Sequence, residues 1–167
     1  MTGSQKFRAG VLTMSDKGSR GERVDESGDL AFQILENQGL IMVKKGIVPD
    51  NIEEIRATLI DWCDNEGLSL IVTSGGTGMS PTDVTPQAMQ KVIEFEVPGI
   101  AEAMRAASLL KTPHAMISRA MAGVRGGCLI INLPGSPRGV KENLEVVLPA
   151  LKHALSKLSG DTADCAS

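Results

Sequence analysis

The stretch from Ser69 to Met89 restricts the fold of this chain more than any other part of the sequence. It opens with Leu70-Ile71-Val72, an apolar run of β-favouring residues that predicts a buried strand. Three glycines within Gly75-Gly76-Thr77-Gly78 then allow the backbone to turn sharply and to lie close to another group. Thr85 is a good N-cap and Pro86 suits the first helical position, so a helix is predicted to begin there.

A glycine-rich loop between a strand and a helix start is a typical site for a phosphorylated ligand. The backbone N–H groups of such a loop face the phosphates, and its one carboxylate, Asp83, is able to hold a metal. On these residues alone, a turn or capping role for Asp83 remains the alternative. The loop is not followed by Gly-Lys-Ser/Thr and no G-x-G-x-x-G follows the first predicted strand, so neither a P-loop nor a dinucleotide site is supported.

A second strand, loop and helix start are found further along the chain. The run from Cys128 to Leu133 is strongly apolar and predicts a strand inside the sheet. It leads into Asn132-Leu133-Pro134-Gly135-Ser136-Pro137, where Ser136 is a good N-cap and Pro137 is at the first helical position. Two similar strand ends at one sheet edge would form the walls of a single cleft.

Two polar segments after the first two predicted strands add candidate residues. Phe7 to Met14 predicts the first strand, and the polar loop from Ser15 to Gly21 follows it, either as part of the cleft or as an ordinary surface loop. Ile41 to Val48 predicts a second strand at a sheet edge, since Lys44-Lys45 interrupts it. Asp50 then comes directly before a helical pattern, which favours helix capping for its carboxylate.

The remaining pattern alternates strands with helices. Gly39 is predicted to end the first long helix, Pro98 to begin another, and Pro149 to kink or split the last one. The sequence therefore predicts a three-layer α/β domain with a mostly parallel central sheet flanked by helices. We expect one domain over residues 1–167, with residues 1–6 and 159–167 as flexible tails.

Composition narrows the class of function. The 17 basic and 20 acidic residues nearly balance, and the chain has no Tyr, one Trp and three Phe, which disfavours a nucleic-acid partner. No apolar run reaches the roughly 18–20 residues of a membrane span. The three cysteines are too widely spaced for a zinc site and are expected to be reduced thiols of a cytoplasmic protein.

Read together, these motifs resemble one family closely. The segments IVTSGGTG…TDVTPQA, SRAMAGVRGGCLIINLPGSP, VLTMSDKGS and IVPD are similar to those of the MogA/gephyrin G-domain family of molybdenum-cofactor biosynthesis. The similarity extends from about Phe7 to Leu158. The resemblance implies a molybdopterin adenylyltransferase that uses Mg²⁺ and ATP, forms a homotrimer, and passes its product to a molybdate-inserting MoeA-type enzyme.

The resemblance also assigns residues to the site. It implies that Asp50 and Asp83 are the catalytic acids, and we expect Mg²⁺ to be held by Asp83 with Asp50 or, alternatively, Asp16. It implies that the substrates are bound by Ser15, Asp16, Gly75, Gly76, Thr77, Gly78, Thr85, Pro86, Ser118, Arg119, Asn132, Pro134, Gly135 and Ser136.

Two positions depart from the family pattern. Thr82 and Lys17 stand where arginine is usual, and neither replaces the bidentate fork of a guanidinium. Two alternatives therefore stay open beside adenylylation. One is a family member that binds molybdopterin without adenylylating it, and the other is a scaffold-type trimerisation module.

Overall fold

The computed structural model describes residues 5–162, which contain six strands, six α-helices and one 3₁₀ helix. The strands are β1 Arg8–Met14, β2 Ile41–Val48, β3 Leu70–Ser74, β4 Phe95–Glu96, β5 Ala122–Arg125 and β6 Cys128–Leu133. The helices are α1 Asp16–Ser19, α2 Glu26–Asn37, α3 Ile52–Asp64, α4 Thr85–Gln90, α5 Pro98–Leu109 and α6 Pro137–Leu158, with the 3₁₀ helix over Pro113–Ile117. No helix among residues 5–162 is long and apolar enough to cross a membrane.

The strands form one sheet in the order β2-β1-β3-β6-β5-β4. The pairs β2–β1, β1–β3 and β3–β6 are parallel, whereas β5 and β4 are added by antiparallel pairing. The predicted mostly parallel sheet, and the edge position of β2, are thus confirmed. The two-residue strand β4 was not predicted, because Phe95–Glu96 is too short to show an alternating pattern.

Helices cover both faces of the sheet, as the three-layer prediction requires. On one face, α2, α5 and α6 pack against residues such as Val11, Val72 and Ile131. On the other face, α3 and α4 pack against Leu12 and Ile71. Successive strand residues alternate between the two faces, and in the inner strands β1, β3 and β6 nearly all of them are buried because helices cover both sides.

Several helix boundaries agree with the sequence. Ser136 caps α6 by accepting a hydrogen bond from the Gly139 N–H at 3.0 Å. Gly39 follows α2 with a φ of +84°, the left-handed backbone that glycine favours after a helix. Helix α6 continues through Pro149 as one element, so the predicted split does not occur.

Two predicted caps are wrong. The N-cap of α3 is Asn51, whose Oδ1 accepts from the N–H groups of Glu53 and Glu54, both at 3.0 Å, and not Asp50. The N-cap of α4 is Val84, so Thr85 is already the first residue of that helix. In both cases the predicted residue is engaged in a tertiary contact. Asn51 caps α3 in place of Asp50, whereas Val84 makes no side-chain cap hydrogen bond at the start of α4.

Two other predictions concern the loop after β1 and the two ends of the chain. The loop from Ser15 to Gly21 contains the one-turn helix α1, with Ser15 as its N-cap. At the end of α6, the N–H groups of Ser159, Gly160 and Asp161 donate to helix carbonyl groups, so the described part of that predicted tail is hydrogen-bonded. The other predicted tail positions, residues 1–4 and 163–167, lie outside the described residues.

Candidate functional site

The carboxyl ends of the parallel strands open into a cavity of about 670 Å³. Its walls come from the loops after β1, β2, β3 and β6 and from the start of α2. We call it the acidic cavity, because four carboxylates and a single cation line it within the described residues: Asp25, Glu26, Asp50, Asp83 and Arg23. Ser15, Gly75, Gly76, Gly135 and Ser136 from the predicted set also line it.

Asp16 and Asp50 join the first two loops through reciprocal hydrogen bonds. The Asp50 N–H donates to Asp16 Oδ1 at 2.9 Å, and the Asp16 N–H donates to Asp50 Oδ2 at 3.2 Å. This exchange explains why Asp50 does not cap α3. Asp16 itself does not line the acidic cavity; it positions Asp50 there.

The Asp50 carboxyl has a pKa above its ordinary value. Partial burial is the largest cause, and the nearby carboxylates of Asp16 and Asp83 add to it, while the hydrogen bond from the Asp16 N–H opposes it. Asp50 and Asp83 are therefore close enough to repel each other across the cavity. A cation between them would relieve that repulsion.

Asp83 is held by a tight turn of the glycine-rich loop. Its Oδ2 accepts from the Ser80 N–H at 2.9 Å, and its own N–H donates to the Ser80 carbonyl at 3.0 Å. A Cβ at Gly78 would lie 2.7 Å from the same carboxylate oxygen, so the glycine leaves room for it. The side chain is only partly buried and faces the cavity.

The glycines after β3 allow a backbone path that other residues would obstruct. Gly75 and Gly76 have φ values of +97° and +68°. A Cβ at Gly75 would lie 2.6 Å from the Met14 carbonyl oxygen at the end of β1. Thr85 fixes the path from the other side, because its Oγ1 donates to the Gly75 carbonyl at 2.9 Å and its N–H to that of Gly76 at 3.1 Å.

Arg119 holds the far half of this loop. Its Nε donates to the Gly78 carbonyl at 2.8 Å and its Nη2 to the Asp83 carbonyl at 2.7 Å. Its backbone N–H donates to the Thr77 carbonyl at 2.8 Å. The guanidinium therefore binds the loop backbone, and Arg119 does not line the acidic cavity.

Three other predicted residues lie behind the cavity walls. Asn132 is fully buried: its Nδ2 donates to Thr73 Oγ1 at 3.0 Å, and its Oδ1 accepts from the Met121 N–H at 3.2 Å. Thr85 and Pro86 are buried at the start of α4. These side chains support the loops, and none of them reaches a cavity surface.

The loop after β6 forms the opposite wall. Ser74 Oγ donates to the Pro134 carbonyl at 3.1 Å, and Ser27 Oγ donates to the Gly135 carbonyl at 2.7 Å. A Cβ at Gly135 would lie 3.4 Å from the Gly75 Cα, so the two loops are in direct contact. The predicted side-by-side placement of the two strand ends is confirmed.

A second cavity of about 520 Å³ adjoins the first at Ser136. Thr77, Gly78, Ser118 and Pro134 from the predicted set line it. We call it the cationic cavity, because the side chains of Arg105, Lys111 and Arg138 surround it with one acid, Glu142. Glu142 pairs with Lys111 at 3.3 Å and Arg138 at 2.9 Å.

The carboxylates of the acidic cavity would hold a metal ion only together with a ligand that completes its coordination shell. Across residues 5–162, no three His, Cys, Asp or Glu side chains are grouped closely enough to hold a metal ion on their own. Mg²⁺ commonly takes one or two carboxylates and completes its shell with water and substrate phosphates. The facing pair of Asp50 and Asp83 matches that mode of binding.

Sequence reasoning missed the part of the site that α2 and α5 contribute. Asp25 and Ser27 follow the first loop and are polar, so their position after β1 was an available signal. Asp25 is bonded at both oxygens, to the Thr13 hydroxyl and the Gly28 N–H, each at 2.9 Å. Arg105 lies on α5, and only the packing of that helix beside α6 brings it to the cationic cavity.

We predict that Gly76→Ala destabilises the protein more than Gly21→Ala. Both glycines have similar positive φ values, +68° and +73°, so each alanine carries about 1–2 kcal/mol of backbone strain. Only at Gly76 would the new Cβ approach Thr85 Oγ1, at 2.3 Å, and disturb its hydrogen bond to Gly75. We expect about 1 kcal/mol or more of additional loss in the free energy of unfolding, measured by urea denaturation. Equal losses in the two variants would contradict the packing described for this loop.

Comparison with known proteins agrees with this geometry. Residues 10–153 match a family described as "Probable molybdopterin binding domain". The chain is 42% identical to gephyrin of Dictyostelium discoideum over 93% of this chain and 23% of that protein. It is 40% identical to a molybdopterin adenylyltransferase of Helicobacter pylori over 94% of this chain and 90% of that enzyme.

Solved structures show the same architecture. The molybdopterin biosynthesis enzyme MoaB of Thermus thermophilus superposes with a TM-score of 0.87 at 50% identity, covering 93% of this chain and 98% of that one. A MogA structure gives a TM-score of 0.86 at 39% identity over 90% and 99% of the two chains. Sequence match, relatives and fold together establish that this chain belongs to the MogA/gephyrin family of molybdopterin-binding domains.

Proposed function

We propose that the protein is a molybdopterin adenylyltransferase, which transfers AMP from Mg-ATP to molybdopterin and releases diphosphate. Relatives bearing that name are 40% identical in Helicobacter pylori and 37% identical in Escherichia coli, where the chain covers 90% and 75% of their lengths. The structural observation that carries the proposal is the meeting of Asp50, Asp83 and the Gly75-Gly76 backbone in one cavity.

The two adjoining cavities suit a reaction between two bulky substrates. Each substrate occupies one cavity, and their phosphates meet near the shared residue Ser136. An oxygen of the molybdopterin phosphate attacks the α-phosphorus of ATP, and diphosphate leaves with the electrons of the broken P–O bond. Such a transfer depends on positioning and charge stabilisation and needs no protein nucleophile.

The residues divide this work between them. Asp50 and Asp83 would hold Mg²⁺, which supplies charge neutralisation for the ATP phosphates when it is bound. The Gly75-Gly76 backbone lines the cavity along a path that only glycine allows, since a Cβ would meet the Met14 carbonyl at Gly75 and Thr85 at Gly76. Thr85 and Arg119 keep that backbone in place, and the reciprocal hydrogen bonds between Asp16 and Asp50 keep Asp50 directed at the cavity.

Arg23 supplies the positive charge that position 82 lacks. Thr82 is exposed, bonds with Ser80 at 3.0 Å and lines neither cavity. Arg23 lines the acidic cavity and has no hydrogen bond or ion pair with any other residue in the described part of the chain. A guanidinium free to turn toward a phosphate is suited to bidentate binding.

A family member that binds molybdopterin without adenylylating it is the second candidate. The absence of arginine at Thr82 favours it, and diphosphate release in the presence of molybdopterin and Mg-ATP separates the two. Homotrimer formation, hand-over to a MoeA-type enzyme and a cytoplasmic location rest on the family resemblance and remain predictions.

The first test of the activity is Asp83→Asn. The amide keeps an oxygen to accept from the Ser80 N–H but loses the charge that Mg-ATP requires. We expect kcat/KM for diphosphate release to fall at least about 100-fold, or about 2.7 kcal/mol of transition-state stabilisation. Asp61→Asn, an exposed acid on α3 whose Oδ1 accepts from Asn65, serves as the control and should be unchanged. Near-normal diphosphate release by Asp83→Asn would remove the residue from the mechanism.

The second test uses the raised pKa of Asp50. Because the folded state favours the protonated carboxyl, ionisation of Asp50 costs stability as the pH rises from its unfolded to its folded pKa. We therefore expect Asp50→Asn to raise the Tm at neutral pH without Mg²⁺, and the gain to vanish below the ordinary aspartate pKa. Each kcal/mol gained corresponds to about 2–4 °C.

Mg²⁺ with ATP should stabilise the unmodified protein and leave Asp50→Asn largely unaffected, as judged by the same thermal melts. A variant that is less stable at neutral pH, with the same difference at acid pH, would contradict the proposed repulsion.

The third test compares two arginines of the first loop. Arg23→Gln should raise the KM for ATP about 10- to 150-fold, since it removes one charge-assisted contact worth roughly 1.5–3 kcal/mol. Arg20→Gln should not, because Arg20 lines neither cavity and instead binds Glu22 at 2.9 Å and 3.0 Å. Indistinguishable ATP titrations for the two variants would rule out a phosphate contact for Arg23.

A further inference from the structure

Arg105 on α5 holds a short segment that belongs to no helix or strand. Its Nη1 donates to the Ala120 carbonyl at 2.8 Å and, at a longer 3.4 Å, to the Ser118 carbonyl. These two carbonyl groups lie on either side of Arg119, between the 3₁₀ helix and β5. Within residues 5–162 no backbone N–H donates to either of them. Arg105 is therefore the donor that fixes the backbone next to Arg119.

Arg119 extends this support to the glycine-rich loop. Its backbone N–H donates to the Thr77 carbonyl at 2.8 Å. Its guanidinium donates to the carbonyl groups of Gly78 and Asp83, at 2.8 Å and 2.7 Å. Asp83 is thus held at its backbone by Arg119 and at its carboxylate by the Ser80 N–H. A continuous series of hydrogen bonds connects α5 to the Asp83 carboxylate of the acidic cavity.

Both arginines bind carbonyl oxygens and neither has a carboxylate partner. The ion pairs found among the described residues all involve other basic side chains. Arg105 and Arg119 are both half-buried. A guanidinium offers several donors in a rigid fork, so one side chain can fix carbonyl groups from separate parts of the backbone. Two half-buried arginines are therefore used to fix the backbone that leads to Asp83.

A direct contact with a bound ligand is the alternative role for Arg105, because its side chain also lines the cationic cavity. Every hydrogen bond that it makes in the described part of the chain, however, goes to the backbone beside Arg119. The two roles differ in what they predict for the protein without ligand. A supporting residue changes the motion of the loop there, whereas a ligand contact does not.

We propose that Arg105 is a positioning residue for Asp83 and acts through residues 118–120 and Arg119. Without its guanidinium the two carbonyl groups beside Arg119 lose their donor, so this segment and the loop bonds of Arg119 open more often. Asp83 then holds Mg²⁺ less well. Loss of a group that orients a metal ligand typically lowers metal affinity or activity about 10- to 100-fold. The effect on Mg²⁺ rests on the proposed function, whereas the effect on the loop does not.

The first experiment measures amide hydrogen exchange in the full chain without ligand, for the unmodified protein and for Arg105→Met. Methionine keeps an unbranched apolar stem but has no donor. We expect exchange to become about tenfold faster at the N–H groups of Asp83 and Arg119, because the bonds that close the loop open more often. Exchange in β3 and β6 should not change.

The matched control is Arg8→Met. Arg8 also donates through Nη1 to a backbone carbonyl, that of Glu66 at 2.7 Å, but it lies at the amino end of β1, away from the site. This variant should leave exchange in the glycine-rich loop as it is in the unmodified protein.

The second experiment follows diphosphate release with molybdopterin and ATP while the Mg²⁺ concentration is varied. For Arg105→Met we expect the half-saturating Mg²⁺ concentration to rise about 10- to 100-fold, with little change in the KM for molybdopterin. Arg105→Lys should recover most of the loss, since an ammonium group can still donate to the Ala120 carbonyl. No diphosphate release by the unmodified protein would refute the proposed function, and the exchange experiment would still decide the role of Arg105.

Three results would overturn the positioning role. One is unchanged exchange in the loop of Arg105→Met, whatever its activity. Another is a higher KM for molybdopterin with normal exchange and normal Mg²⁺ dependence, because that pattern identifies a direct ligand contact. The third is exchange that becomes equally faster in the loop, β3 and β6, which would indicate a general loss of stability.

Discussion

Parallel hydrogen bonding of β1, β3 and β6 is the interaction on which the rest of the structure depends. Because these three strands and β2 run in one direction, their carboxyl ends reach the same sheet edge, and the strand-end loops of the acidic cavity start there. The loops then bond to one another: Ser74 to Pro134, Gly75 to Leu133, and Ser27 to Gly135. The register of the strands in the sheet therefore determines where each loop lies at the site.

The site contains two kinds of residue, which a motif does not distinguish. Gly75, Gly76 and Asp83 face the cavity, whereas Thr85 and Arg119 use their polar groups to hold the carbonyl groups of that same loop. The glycine-rich loop lacks the regular hydrogen-bond pattern of a strand or helix, so some of its carbonyl groups need side-chain donors. Within residues 5–162 every buried side-chain nitrogen and oxygen has a hydrogen-bond partner. Motif residues therefore include the loop's supports as well as its binding surface.

The features predicted correctly from the sequence are those that depend only on neighbouring residues. The cap at Ser136, the left-handed Gly39 and the strand over Cys128–Leu133 depend on neighbouring residues alone, and all three are present. Asp50 and Asn51 are equally good caps by type, and the choice between them came from Asp16, 34 residues earlier in the chain. The cations of the cationic cavity had no local signal, because they come together only where α5 packs beside α6.

Charge explains why the acidic cavity is built on rigid supports. Asp16 and Asp83 each repel the Asp50 carboxylate, and partial burial deprives Asp50 of the water that would screen its charge. Such an arrangement persists only because hydrogen bonds elsewhere hold the carboxylates in place, as the Asp16–Asp50 exchange and the Ser80 turn do. A cation and a phosphate together would satisfy both the acids and Arg23. Under the proposed function, the unfavourable charge of the acidic cavity is therefore the same feature that would make it selective for a metal-bound nucleotide.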